Sequence, residues 1–147
     1  MARYPGPPLS FDYPRDWLDR TEVRFEAPPR PGVDGVRSPG GLSCTRATLA
    51  ADESLERHVE RALAAFAQRE GFLAREVSPL EVDGRRSLLC RYASVEGGVP
   101  LEHRAVYVPL AERGVAVLTM SAPRLELAQM EPLFERMLSS VTVGRSG

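Results

Sequence analysis

Leu80-Glu-Val-Asp-Gly-Arg-Arg-Ser-Leu-Leu-Cys-Arg-Tyr-Ala-Ser-Val-Glu-Gly-Gly-Val99 decides the fold. Asp83-Gly84 and Gly97-Gly98 are two-residue hairpin turn signals, because both central residues of such a turn need positive φ. The run between them, 85–95, reads as a strand bounded by these turns. A strand held between two hairpin turns has antiparallel neighbours on both sides, here 72–82 and 100–109. A loop around Glu112-Arg113-Gly114 then leads into Val115–Ser121, a further apolar strand stopped by Pro123.

Working outward, 42–49 is a strand in which Leu42 and Cys44 alternate with Ser43 and Thr45. Ser54 is placed to cap a helix, with Glu56 early against the macrodipole. Leu55, Val59, Ala62, Leu63 and Phe66 recur at helical spacing, and Gly71 is the left-handed stop. At the other end, Glu126 to Met130 is at most one turn. Pro132 suits a first helical position, so the main helix is expected from Glu131 to Ser140, with Phe134, Met137 and Leu138 inward. Before residue 42, 9–13 and 20–26 read as strands, and the Pro- and Gly-rich stretch 27–41 as a loop. The expected architecture is one α+β domain over 1–147: a curved antiparallel sheet of six to seven strands with two main helices on one face. Residues 1–8 and 144–147 are expected as flexible tails.

Bulk composition excludes several classes. The chain has 147 residues, 43% apolar and 27% charged, an ordinary globular balance for one domain. A net charge of −1 offers no footprint for nucleic acid or an anionic membrane. All 19 basic residues are arginine, which favours bidentate pairing over point charges. No apolar window approaches a membrane span and the N-terminus has no secretory pattern, so the expectation is a cytoplasmic protein. Cys44 and Cys90, each in an expected buried strand, are expected as free thiols.

Catalytic chemistry is not nominated. His58 and His103 have no metal-ligand spacing to one another or to the cysteines. No phosphate loop, dinucleotide fingerprint or nucleophile elbow occurs. Asp16 and Asp19 flank Trp17 in a turn, where local hydrogen bonding explains them. The expectation is a non-enzyme with no catalytic residue, cofactor or metal. Trp17, beside a proline-bounded turn, is expected as a core anchor.

The opening Leu9-Ser-Phe-Asp-Tyr-Pro-Arg-Asp-Trp-Leu-Asp-Arg-Thr-Glu-Val-Arg-Phe25 resembles the DcrB-like family. The resemblance continues through Arg46, Leu55, Val59, Gly71-Phe72, Val82-Asp83-Gly84, Tyr92, Val106-Tyr107, Leu118-Thr119, Ala122-Pro123 and Phe134 to Met137. That family includes the small chaperones of type VI secretion effectors, often called Eag chaperones, and has a PsbP-like fold. The resemblance implies a homodimer that holds a secreted effector on an apolar sheet face. This chain departs from the pattern: Glu22 and Arg24 are charged where those chaperones are apolar, and Ala62 and Ala105 stand where contacting glutamines are expected.

Two amphipathic helices on one face would leave the other open, and the partner is expected there. If Val23 and Phe25 point inward, Glu22 and Arg24 point out. Ser43, Thr45, Leu89, Arg91, His103, Ala105 and Tyr107 are placed with them. Two functional readings follow: an adaptor or chaperone for a secreted effector, or an interaction module for a soluble polar partner. A small-ligand site in the concavity of the sheet is the third.

Overall fold

The computed structural model describes residues 2–4, 9–13, 18–21, 24–26 and 41–143. In chain order these form β1 (Ala2–Tyr4), β2 (Leu9–Tyr13), β3 (Leu18–Thr21), β4 (Arg24–Glu26), β5 (Gly41–Thr48), α1 (Leu55–Phe66), β6 (Leu73–Val82), β7 (Arg85–Glu96), β8 (Val99–Pro109), β9 (Gly114–Pro123), α2 (Leu127–Ser139) and β10 (Thr142–Val143). The α+β class and the antiparallel sheet stand as read from the sequence. The five long strands β5-β9-β8-β7-β6 carry the sheet, and the short β3 and β4 extend it beyond β5. A separate three-stranded sheet, β1-β2-β10, joins the two ends of the described chain. Residues 2–4, expected within a tail, pair with β2 as β1. Trp17, Glu22 and the stretch 27–40 lie outside the described residues.

Both hairpin turns form as their sequences dictate. Asp83 and Gly84 have φ of 49° and 75°, and Gly97 and Gly98 have φ of 56° and 78°. Such pairs of positive φ match the right-handed twist of the flanking strands. Because each loop has two residues, Val82 pairs with Arg85 and Glu96 with Val99. Residues sharing a face on β7 and β8 therefore have opposite parity, so Leu88, Cys90 and Tyr92 stand opposite Tyr107, Ala105 and His103.

The helices lie on opposite faces of this sheet, which corrects the placement of both on one side. On one face Val59 of α1 packs with Leu88, Cys90, Tyr92, Ala105, Tyr107 and Val115. On the other, Met130, Phe134 and Met137 of α2 pack with Val106, Val108, Ala116, Leu118 and Met120, joined by Phe11 of β2. Neighbouring residues in one strand point to opposite faces, so the two clusters are the two sides of the same strands. The physical reason is in the strands themselves. Ala105-Val-Tyr-Val108 and Val115-Ala-Val-Leu118 are apolar at every position, and a strand apolar on both faces needs cover on both.

Ser54 caps α1 as expected, its hydroxyl accepting from the Arg57 N–H at 3.2 Å. Gly71 has a φ of 63° but lies beyond the helix end, in the turn into β6. The second helix is longer than expected. It begins at Leu127, and Pro132 sits inside it. The carbonyl that Pro132 leaves without its i+4 helical donor belongs to Ala128, and both residues are exposed.

Candidate functional site

α1 packs over β7, β8 and the Val115 end of β9. Beyond it, β9 and β5 present a strip of hydroxyls: Thr119 opposite Ser43, Ser121 opposite Gly41, and Val117 opposite Thr45. Thr45 is exposed, while Ser43, Val117, Thr119 and Ser121 are half-buried. In the register, Arg24 of β4 pairs with Ser43 and extends the row. Antiparallel sheets place small polar residues where a face is reached by water.

The strip joins a buried polar chain at its inner edge. The His103 ring lies between two serines, with Nε2 at 2.6 Å from Ser94 Oγ and Nδ1 at 2.7 Å from Ser121 Oγ. A neutral imidazole donates at one nitrogen and accepts at the other, so one serine accepts from it and the other donates to it. Tyr92 stacks on the ring, with centroids 4.6 Å apart and an interplanar angle of 22°. His103 is 4% exposed and Ser94 1% exposed. Burial pushes the His103 pKa below the ordinary histidine value and so favours the neutral ring. Among the described residues no carboxylate hydrogen-bonds the ring to orient it as a catalytic base. The network satisfies buried hydrogen bonds and pins β7, β8 and β9 together.

At the N-terminal end of α1, Glu53 gathers His58 Nδ1 at 3.2 Å, an Arg61 N–H at 3.0 Å and the Ala50 N–H at 3.4 Å. Burial works against the Glu53 charge, but the bonds to His58 and Ala50 and the Arg61 charge outweigh it and hold the pKa below its usual value. The Arg113 guanidinium donates to the carbonyls of Ala50 and Glu53 and anchors this loop to the β8–β9 turn. A shallow depression of about 640 Å³ beside it is lined by Asp52, Glu53, Arg57, Glu60 and Arg61 among others. Among the described residues no three His, Cys, Asp or Glu side chains converge as a metal site. Cys44 and Cys90 are free, buried, and pushed up to about 11 by burial.

The residues expected on one open face are divided by the register. Ser43, Thr45, His103, Ala105 and Tyr107 fall in register on the α1 face, and Arg24 pairs in the backbone register with Ser43. Ala105 at 0% and Tyr107 at 3% exposure lie buried among the residues packed with α1, and burial also raises the Tyr107 pKa. Leu89 and Arg91 fall on the α2 face, opposite Val106 and Arg104. The parity rule of a two-residue turn moves them there. Ser94, Thr119 and Ser121 were not singled out from the sequence. The spacing across the β8–β9 loop, which sets His103 opposite Ser121, is the signal that finds the last of them.

No protein-family model and no curated protein matches this sequence. Solved structures do match. A Pseudomonas aeruginosa protein of unknown function, PA94, aligns over 100% of this chain and 99% of its own, with a TM-score of 0.69 and 20% identity. LpqN of Mycobacterium tuberculosis, involved in cell envelope biogenesis, aligns over 92% of this chain and 82% of its own (TM-score 0.63, 15% identity). Cyanobacterial PsbP from Synechocystis aligns over 97% and 91% (TM-score 0.63, 15% identity). The Saccharomyces cerevisiae Ran-binding protein Mog1p aligns over 94% and 91% (TM-score 0.58, 11% identity). At these identities the likeness shows a shared fold, the one found in PsbP and LpqN. No helix among the described residues is long and apolar enough to cross a membrane.

Proposed function

We propose that the protein is a non-enzymatic adaptor that binds a protein partner along the hydroxyl strip beside α1. The supporting observation is that Ser43, Thr45, Thr119 and Ser121 line the part of a helix-covered face that α1 leaves open. Half-buried hydroxyls at the foot of a helix offer hydrogen bonds to a segment laid against them and give little to a purely apolar one. The Ran-binding protein Mog1p shows that this fold can serve a protein-binding role. By its resemblance to the type VI secretion chaperones, the partner is a secreted effector encoded nearby, and the adaptor works in the cytoplasm as a homodimer.

The second reading, an interaction module for a soluble polar partner, is favoured by the same hydroxyls. They suit a polar segment better than a bare transmembrane helix, whose apolar side chains need an apolar cover. A pull-down of the neighbouring gene product tests both. Thr45→Arg should abolish capture, and Arg61→Glu on the outer surface of α1 should not. Thr45→Arg is at an exposed position and should leave stability within about 0.5 kcal/mol, whereas Arg61→Glu also removes the ion pair with Glu53 and should cost about 1 kcal/mol without unfolding the protein. Capture that survives Thr45→Arg but is lost in Arg61→Glu would move the binding surface to the helix. Capture of a polar fragment of that product, but not of its apolar segment, would favour the second reading.

A further inference from the structure

On the α2 face, at the β6 end of the sheet, a charged row crosses three strands. Glu76 stands opposite Arg91, and Arg91 stands opposite Arg104. Two like charges directly across a strand pair repel. The other guanidinium groups of this corner have carboxylates. Glu131 of α2 pairs with Arg104. Glu102, buried in the next row, accepts two N–H bonds from Arg75 at 2.8 and 2.6 Å, and Arg124 lies 3.4 Å from it. Arg91 is left with Glu76 at 3.9 Å, a carboxylate whose own side chain is 57% exposed. Its Nε is buried and has no hydrogen-bond acceptor among the described residues, although the side chain is 42% exposed.

Apolar surface flanks this group. Leu73, 52% exposed, stands on β6 in the Glu102 row, and Leu125, 98% exposed, follows Arg124. A small free anion would leave both leucines in water, whereas a polypeptide laid across the corner covers them.

We propose that Arg91 anchors a carboxylate side chain of a protein partner, in a segment whose neighbouring apolar residue packs on Leu73. At ion-pair distance in this corner four guanidinium groups (Arg75, Arg91, Arg104 and Arg124) share three carboxylates (Glu76, Glu102 and Glu131), a local excess of positive charge complementary to an acidic segment. The guanidinium fork matches a carboxylate with two parallel hydrogen bonds. A carboxylate docked on the exposed part of Arg91 supplies a closer acceptor than Glu76, which stands 3.9 Å away. This surface is on the opposite side of the sheet from the hydroxyl strip. The proposal rests on the protein-binding reading but concerns a second contact.

The test is selection from a library of random short peptides on the immobilised full-length protein. The expected result is enrichment of peptides with Asp or Glu beside Leu, Ile, Val or Phe, unchanged with Thr45→Arg and lost with Arg91→Gln. Arg91→Lys keeps the charge without the fork and, in a protein with an unchanged melting temperature, should weaken a selected peptide roughly tenfold or more, the worth of a hydrogen bond to a charged group. Selected peptides without acidic enrichment, or acidic peptides that bind Arg91→Gln as tightly as wild type, would overturn the proposal. Displacement by an equal concentration of inorganic phosphate would make the corner a general anion site and overturn it as well. Loss with Thr45→Arg, while Arg91→Gln binds normally, would assign the peptides to the hydroxyl strip and leave only the first reading standing.

Discussion

Replacing His103 by leucine isolates the polar chain that bounds the proposed binding strip. Leucine fills much of the ring's volume, so the cavity contribution is small. Ser94, 1% exposed, then keeps a hydroxyl with neither its histidine partner nor water. An orphaned buried hydroxyl costs about 1–3 kcal/mol. Ser121 is half-buried and regains water, so its loss is smaller. The lost stack on Tyr92 adds about 0.5–1.5 kcal/mol. The total is about 2–4 kcal/mol, read as a lowered urea midpoint with unchanged slope. Removing both hydroxyls as well, in a Ser94→Ala, His103→Leu, Ser121→Ala variant, should bring stability back to within about 1 kcal/mol of wild type. pH supplies a second arm. The folded pKa of His103 is depressed, so the unfolded chain binds the proton more readily. The stability the neutral ring contributes is complete above the unfolded value of about 6.5 and is lost as pH falls from there through the depressed folded value. His103→Leu should flatten that part of the profile. A single variant within about 0.5 kcal/mol of wild type, or a triple variant as unstable as the single, would refute the network's structural role.

Other predictions follow from the same geometry. Cys44 and Cys90, raised to about 11, should alkylate in the native protein roughly a hundredfold more slowly at mildly alkaline pH than in the denatured chain, where both titrate. Gly71→Ala should lower the melting temperature by the equivalent of about 1–2 kcal/mol, because its φ of 63° is left-handed and a Cβ there would collide with Val95 Cγ2. Phe134→Ala, at 2% exposure, should cost about 3–5 kcal/mol in chemical denaturation, and a loss below about 1 kcal/mol would deny α2 its place over the sheet. The proposed homodimer predicts sedimentation at twice the 16.2 kDa chain mass, and a species at 16.2 kDa across micromolar concentrations would remove it.

The hairpins were legible because Asp83-Gly84 and Gly97-Gly98 can do little else between alternating strands. The helix cap at Ser54 was legible for the same local reason. Two other features were written in the sequence in a form easily misread. The unbroken apolar runs 105–108 and 115–118 mean burial on both faces, yet alternation elsewhere suggests one wet face. The two-residue turn at Gly97-Gly98 already sets Leu89 and Arg91 apart from His103, Ala105 and Tyr107. What the sequence withheld is tertiary. An amphipathic stripe says that a helix covers a sheet but not which side. That Arg91 has only the distant Glu76 for a partner depends on Glu102 being taken by Arg75, a pairing between residues 27 positions apart. Pro132 sits inside α2 at an exposed position, where the cost of the lost helical hydrogen bond is smaller than in a buried turn.

Chemical-shift mapping of isotope-labelled protein against the neighbouring gene product tests the central claim most directly. Binding along the open strip predicts the largest changes at Ser43, Thr45 and Thr119, with Arg57 and Arg61 on the outer surface of α1 unmoved. Shifts confined to that outer helix surface, with the hydroxyl strip silent, would contradict it.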